Sequence, residues 1–193
     1  MSQIFVSKED QFAQFIKEFG DQAYNFAFRL SGNEQDSRDL VQGAFMKALD
    51  HFNSFDPAKP FQPWLNRILR NLYIDSVKRY EKRKVVSLDA PSPLENKLWS
   101  DLLPDRGANP LDELNRIEID ELVQKGLNRL ELEYRTAIIL SDIEGFSYEE
   151  ISKIMNCPIG TVRSRIHRGR LMLKKILEPY MGFGEVKINE RAY

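Results

Sequence analysis

The chain has 193 residues, 42% of them hydrophobic and 30% charged, with a net charge of −1 and one cysteine. That length suits one large domain or two small ones. No apolar run approaches a membrane span, the start MSQIFVSKEDQF lacks the basic-then-apolar order of a secretion signal, and one Cys cannot close an internal disulfide, so the expected location is the cytoplasm.

The near-neutral total conceals a segregated pattern. Residues 57–84 carry 8 basic and 2 acidic side chains, net +6, and residues 151–178 carry 7 and 1, again net +6. Residues 1–56 are net −4, residues 85–150 net −9, and the tail from 179 is balanced. Two basic blocks in acidic surroundings are the electrostatic footprint of a chain that meets a polyanion at two places.

In chain order, Phe12, Phe15, Ile16, Phe19, Tyr24, Phe26 and Ala27 recur at helical spacing, so helix begins near residue 8, with Gly20 either a break or a tolerated interior residue. Leu30-Ser31-Gly32-Asn33 reads as a helix end and turn. From Asn33 to Phe55, the residues Leu40, Val41, Ala44, Phe45, Ala48, Leu49 and Phe52 form an apolar stripe. Asp36, Arg38, Asp39, Gln42 and Lys47 lie outside it, and the acidic first turn suits the helix dipole. That polar face is either simply solvated or docks on a partner.

Ser54 to Pro63, SFDPAKPFQP, holds three prolines and no periodicity, and reads as a loop. The next helix is expected over Trp64 to Lys84. Leu65, Ile68, Leu69, Leu72, Ile74 and Val77 supply its buried side. Arg67, Arg70, Asn71, Tyr73, Lys78, Arg79, Tyr80, Lys82, Arg83 and Lys84 make a basic and aromatic surface. Single-stranded nucleic acid needs cations for phosphates and flat partners for unstacked bases; a core Trp and Tyr set beside a solvated basic face explains the block equally well.

Val85 to Pro110 contains four prolines with Asp89, Glu95, Asp101 and Asp105, and reads as an acidic linker with little helix. Leu98-Trp99 and Leu102-Leu103 within it are candidates for docking. A second helical unit follows, with helices expected around 111–128 and 131–143 and closed by Gly145.

Phe146 to Lys175 has the strongest local signature. Ser147 and Glu150 form a capping box. Ile151, Ile154 and Met155 share one face, and Asn156-Cys157-Pro158 breaks the helix. Pro158 can open the next, in which Val162, Ile166 and Leu173 point one way and Arg163, Ser164, His167, Arg168 and Arg170 occupy the rest. A short helix, a tight turn and a longer basic helix is the helix-turn-helix design, whose second helix fits the DNA major groove. Asn156 stands where Gly is frequent, and tolerates left-handed backbone better than most residues. Alone, this motif fits an ordinary helix-turn-helix regulator with an N-terminal sensing or dimerisation domain.

Three stretches, DSRDLVQGAFMKAL (36–49), PWLNRILRNLYIDSVKR (63–79) and YRTAIILSDIEGFSYEEISKIMNCPIGTVRSRIHRGRLMLKK (134–175), occur in an order that resembles the extracytoplasmic-function (ECF) sigma factors of the sigma-70 class. The resemblance spans about residues 8 to 178. It implies an all-α chain of two small helical domains joined by an acidic, Pro-containing linker: domain 2 at 8–84, the linker at 85–110, domain 4 with a C-terminal helix-turn-helix at 111–178, and a tail at 179–193. It also implies a transcription initiation factor that binds core RNA polymerase through the β′ clamp and β flap and recognises promoter DNA as both duplex and single strand. An anti-sigma factor is implied as a further partner.

By position, Asp36, Asp39, Leu40, Gln42, Phe45 and Lys47 would contribute to polymerase docking. The loop Asp56 to Gln62 would hold a flipped base of the −10 element, with Phe61, Arg67, Asn71, Asp75, Lys78 and Arg79 near the melted strand or supporting that surface. Thr161, Arg163, Ser164, His167 and Arg168 would read the −35 duplex. No enzyme activity, cofactor or metal is expected: His51 and His167 have no acid or Cys at convincing ligand spacing, and Cys157 reads as a small packed residue.

Overall fold

The computed structural model describes residues 8–84 and 110–180, which form seven α-helices and, among the described residues, no strand. α1 (Lys8–Ser31) runs unbroken through Gly20 and buries Phe12, Ala23, Phe26, Ala27 and Leu30. It ends where Gly32 takes φ +70 and donates its amide to the Phe28 carbonyl at 2.8 Å. One residue on, Asn33 caps α2 (Glu34–Asp50), its side chain accepting from the Asp36 amide at 3.0 Å. Glu34 and Asp36 then sit in the first turn, against the positive end of the helix dipole. A short 3-10 turn, Phe52–Ser54, leads to the loop.

α3 (Phe61–Lys84) begins three residues earlier than the sequence pattern indicates. Pro63 falls in its first turn, where backbone amides have no intrahelical acceptor and a missing N–H costs nothing. What read as the end of a loop is therefore helix. α1, α2 and α3 pack on one another. At the lower end of this bundle Phe15 stacks on Phe61 with ring centroids 4.3 Å apart, and Phe55 meets Trp64 at 5.1 Å.

The C-terminal unit starts with α4 (Pro110–Asn128), so Pro110 opens the helix instead of closing the linker. α5 (Leu132–Ile138) widens into a π turn at Ile139–Ile143, and Gly145, at φ +73, releases the chain. α6 (Tyr148–Met155) has both arms of the expected capping box, Ser147 with Glu150. Asn156 holds left-handed backbone at φ 51, ψ 52, and α7 (Ile159–Leu177) follows Pro158. α5 and α7 approach closely because position 169 has no side chain: a Cβ on Gly169 would stand 2.9 Å from Ile138 Cγ1.

These are the two helical units expected, but they are not held apart. One cluster of buried side chains runs from Phe26, Leu30 and Leu69 to Leu127, Ile139 and Ile154, and α3 packs directly on α6. Of the linker expected at 85–110, residues 85–109, with the acidic groups and Leu98-Trp99, lie outside the described residues, as does the tail beyond Tyr180.

Candidate functional site

α3 presents three faces. Phe61, Leu65 and Leu69 fill the core of the first unit. A second strip, Gln62, Asn66, Arg70 and Tyr73, turns toward the second unit: Gln62 donates to Glu144 at 3.3 Å, Arg135 approaches the Tyr73 hydroxyl at 3.5 Å, and Arg70 lies near Cys157 and close enough to Arg165 to feel its charge. The third face is open. Arg67, Asn71, Asp75, Lys78 and Arg79 are all exposed on it; the three cations outnumber the one carboxylate, and cations are what a phosphate-tracking surface requires.

The loop before α3 is anchored at both ends by aromatics, Phe55 and Phe61 meeting edge to face at 5.5 Å. Between them Asp56 is exposed and organised by its own neighbours. Its carboxylate accepts from the Ala58 amide at 3.1 Å and pairs with Lys59 at 3.0 Å. The Lys59 ammonium holds that carboxyl below its ordinary value. Phe61 is 4% exposed, a burial that suits the second of the two roles expected for it, support of this loop. Trp64 packs on Phe55 and Phe61 and is an anchor of the same kind.

On α2 the expected docking residues divide by burial. Leu40 and Phe45 are buried, 9% and 3% exposed, among the helices of the first unit, where they hold the helix. Asp36, Asp39 and Lys47 are exposed and Gln42 is half-buried. The centre of the free face is a residue the sequence reading did not single out, Met46, which is 60% exposed. Asp39, Gln42 and Leu49 surround it at helical spacing. The signal was available: Met46 lies opposite the buried Ala44–Ala48 edge, and a large apolar side chain there has no fold-internal role.

On α7, Arg163, Ser164, His167 and Arg168 are exposed and Thr161 is half-buried, all five on the accessible side, while Val162 and Ile166 face the core. The Arg163 guanidinium lies 6.0 Å over the Tyr148 ring, so α6 steadies it. Arg165 points inward and pairs with Glu133 on α5. Arg170 is bound by Asp142 through two bonds, at 3.0 and 2.7 Å, which raise its pKa. Among the described residues no group of three His, Cys, Asp or Glu side chains could hold a metal ion. No helix described is long and apolar enough to cross a membrane.

Two family models match this arrangement, sigma-70 region 2 over residues 15–83 and sigma-70 region 4 over residues 120–173. The ECF RNA polymerase sigma factor SigW of Bacillus subtilis is 33% identical over 177 residues, spanning 92% of this chain and 94% of that protein. The chain belongs to the ECF sigma factors. The ECF sigma-E factor of Escherichia coli is 34% identical over 147 residues, 75% of each chain. Among solved structures, the sigma factor RpoE of Bartonella quintana, crystallised with the anti-sigma factor NepR, matches with a TM-score of 0.65 and 28% identity, covering 87% of this chain and 97% of that one. As a sigma factor, the chain is a promoter-specificity subunit for RNA polymerase, and most of each basic block falls within one of the two matched regions.

Proposed function

We propose that this sigma factor divides promoter recognition between its two basic helices and docks on core RNA polymerase through the free face of α2. The observation that carries the reading is that α3 and α7 each keep a basic face clear of all packing while burying their apolar sides. α7 enters the major groove of the −35 duplex, with Arg163 and Arg168 contacting phosphates or guanine edges and Thr161, Ser164 and His167 completing the footprint. The loop from Asp56 to Gln62 receives an extruded base of the −10 element, and Arg67, Asn71, Lys78 and Arg79 follow the single strand, with Asp75 ordering them. Capture of that strand offsets an unstacking cost of a few kcal/mol. On α2, Met46 seats on the β′ clamp within the ring of Asp36, Asp39, Gln42 and Lys47. The second unit meets the β flap.

The chain itself catalyses nothing; it acts in the cytoplasm by placing polymerase and stabilising open DNA. An anti-sigma factor, like the one crystallised with the Bartonella relative, would restrain it by covering the docking faces. The test is transcription from mapped promoters with purified core polymerase. Core association and promoter-dependent starts are expected; absence of both would leave only a helix-turn-helix DNA binder.

A further inference from the structure

The exposed stripe of α7 does not end at Arg168. On a helix, residues three, four and seven apart share a face. Counted from Leu171, those positions are Ser164, His167 and Arg168 before it and Lys174 and Lys175 after it, and all six residues are exposed. Val162, nine residues before Leu171 and so about half a revolution away, is fully buried. Leu173 and Ile176 turn back onto the core, whereas Leu171 stays 49% exposed. Burial therefore does not account for a leucine at this position.

A single exposed leucine is ordinary on a protein surface, but the surroundings of this one are strongly charged. The carboxylates that reach α7, Glu133 and Asp142, pair with Arg165 and Arg170. Among the described residues no ion pair holds Arg168, Lys174 or Lys175. An apolar side chain is thus enclosed by free cations. The DNA major groove is the complement of that arrangement: phosphates line both walls, and the floor offers one apolar group, the C5 methyl of thymine. Leu171 lies about 6 Å beyond His167 along the helix axis, at about 1.5 Å per residue. That is close to two base-pair steps of about 3.4 Å. A helix lying along the groove with His167 over one base pair brings Leu171 over a pair further on.

We propose that Leu171 is a specificity-determining residue of the −35 reader, packing on the methyl group of one thymine beside the bases met by His167 and Arg168. The proposal rests on the assignment of α7 to the −35 duplex made above. It adds to that footprint an apolar contact, which selects thymine by a group that hydrogen bonding does not read. Uracil pairs as thymine does and presents the same acceptor in the groove, but it lacks the methyl, so the two bases isolate this contact.

The test is a uracil scan. Each thymine of a −35 element mapped for this sigma factor, on either strand, is replaced by deoxyuridine one at a time in a promoter duplex, and binding of the holoenzyme is titrated at fixed salt. At one position, loss of the methyl weakens wild-type binding about two- to fourfold, the range for one methyl group no longer taken out of water. Leu171→Ala binds the thymine duplex more weakly by a similar factor and no longer distinguishes uracil there. Leu171→Met, which keeps an apolar tip, still distinguishes the two. Met172→Ala, at an exposed residue about 100° further round the helix, discriminates as wild type does.

A scan in which no thymine responds overturns the proposal, as does a Leu171→Ala holoenzyme that discriminates at wild-type strength. Weaker association of Leu171→Ala with core polymerase in the absence of DNA overturns it too, because the residue would then be a polymerase contact. Scrambling the whole −35 element separates the two levels of the argument. If scrambling leaves wild-type binding unchanged, the assignment of α7 falls and the proposal with it; if scrambling weakens binding but uracil does not, Leu171 alone is misassigned.

Discussion

Arg163 and Arg165 stand two residues apart on the same basic helix, and their fates should separate cleanly. Arg163 is exposed and steadied by the Tyr148 ring, 6.0 Å away. Removing it as Arg163→Ala forfeits a cation–π contact of about 0.5–1 kcal/mol, so stability changes little. On DNA the loss is larger. A bidentate base contact is worth about 1–3 kcal/mol, roughly five- to 150-fold in affinity, and a phosphate contact lowers the slope of log K against log salt by about 0.9. Arg165 is the reverse case. Its side chain is 19% exposed and paired with Glu133, itself 55% exposed. Arg165→Ala removes a partly screened ion pair and the packing of the stem, about 1–2 kcal/mol of stability, reduced by relief of the repulsion on Arg70. It leaves the DNA face intact. Urea melts give the first quantity, and fluorescence anisotropy with a −35 duplex at several salt concentrations gives the second. If Arg165→Ala flattens the salt slope as much as Arg163→Ala does, the assignment of one arginine to DNA and the other to the fold is refuted.

Three further outcomes are expected. Met46→Asp places a charge at the centre of the free face of α2 and should weaken core polymerase binding at least about tenfold, while stability moves by no more than about 0.5 kcal/mol as for other surface changes; unchanged affinity in a pull-down titration would remove α2 from the docking face. Asn156→Ala forces a Cβ-bearing residue without a local hydrogen-bonding side chain into left-handed backbone, costing about 1 kcal/mol, whereas Asn156→Gly should hold or raise stability; equal melts for both would mean that the turn is not strained. Glu144 is half-buried and its pKa is raised by burial, so between its unfolded and folded values the native state holds the extra proton and stability falls as pH rises. Glu144→Gln should therefore be more stable than wild type at neutral pH and lose that advantage as the medium is acidified below both values; a difference independent of pH would contradict a desolvated carboxylate.

Most helices were legible because local chemistry sets their ends. The Ser147–Glu150 box, the turn at Leu30–Asn33 and the left-handed Asn156 are all decided within four residues of chain, and each stands as the sequence indicated. The misreadings have a common cause. Pro63 and Pro110 read as breakers, but a proline in a first turn is neutral, and which turn it occupies depends on where packing starts the helix. Leu40, Phe45 and Phe61 are a different matter: the motif places them among the functional residues, and the structure shows all three buried. A motif marks residues that matter without separating those that touch the partner from those that hold the helix, and burial separates them.

The α3 helix shows where sequence reading stops and why. Hydrophobic period locates one buried arc, and everything outside that arc looks solvent-facing. Arg67 and Arg70 both lie outside it and are the same residue type. Three positions apart on a helix, they point in different directions, and only the docking of α6, more than 70 residues away in the chain, decides that Arg67 stays exposed while Arg70 is half-buried with no acceptor for its Nε among the described residues. No local property of the segment encodes that difference, because it arises from a contact between units. The same contact leaves the helix with two polar faces of different standing: one is exposed, and the other is packed against the second unit. A substitution on the first face should leave stability unchanged and report on promoter binding alone, whereas one on the second should change stability first.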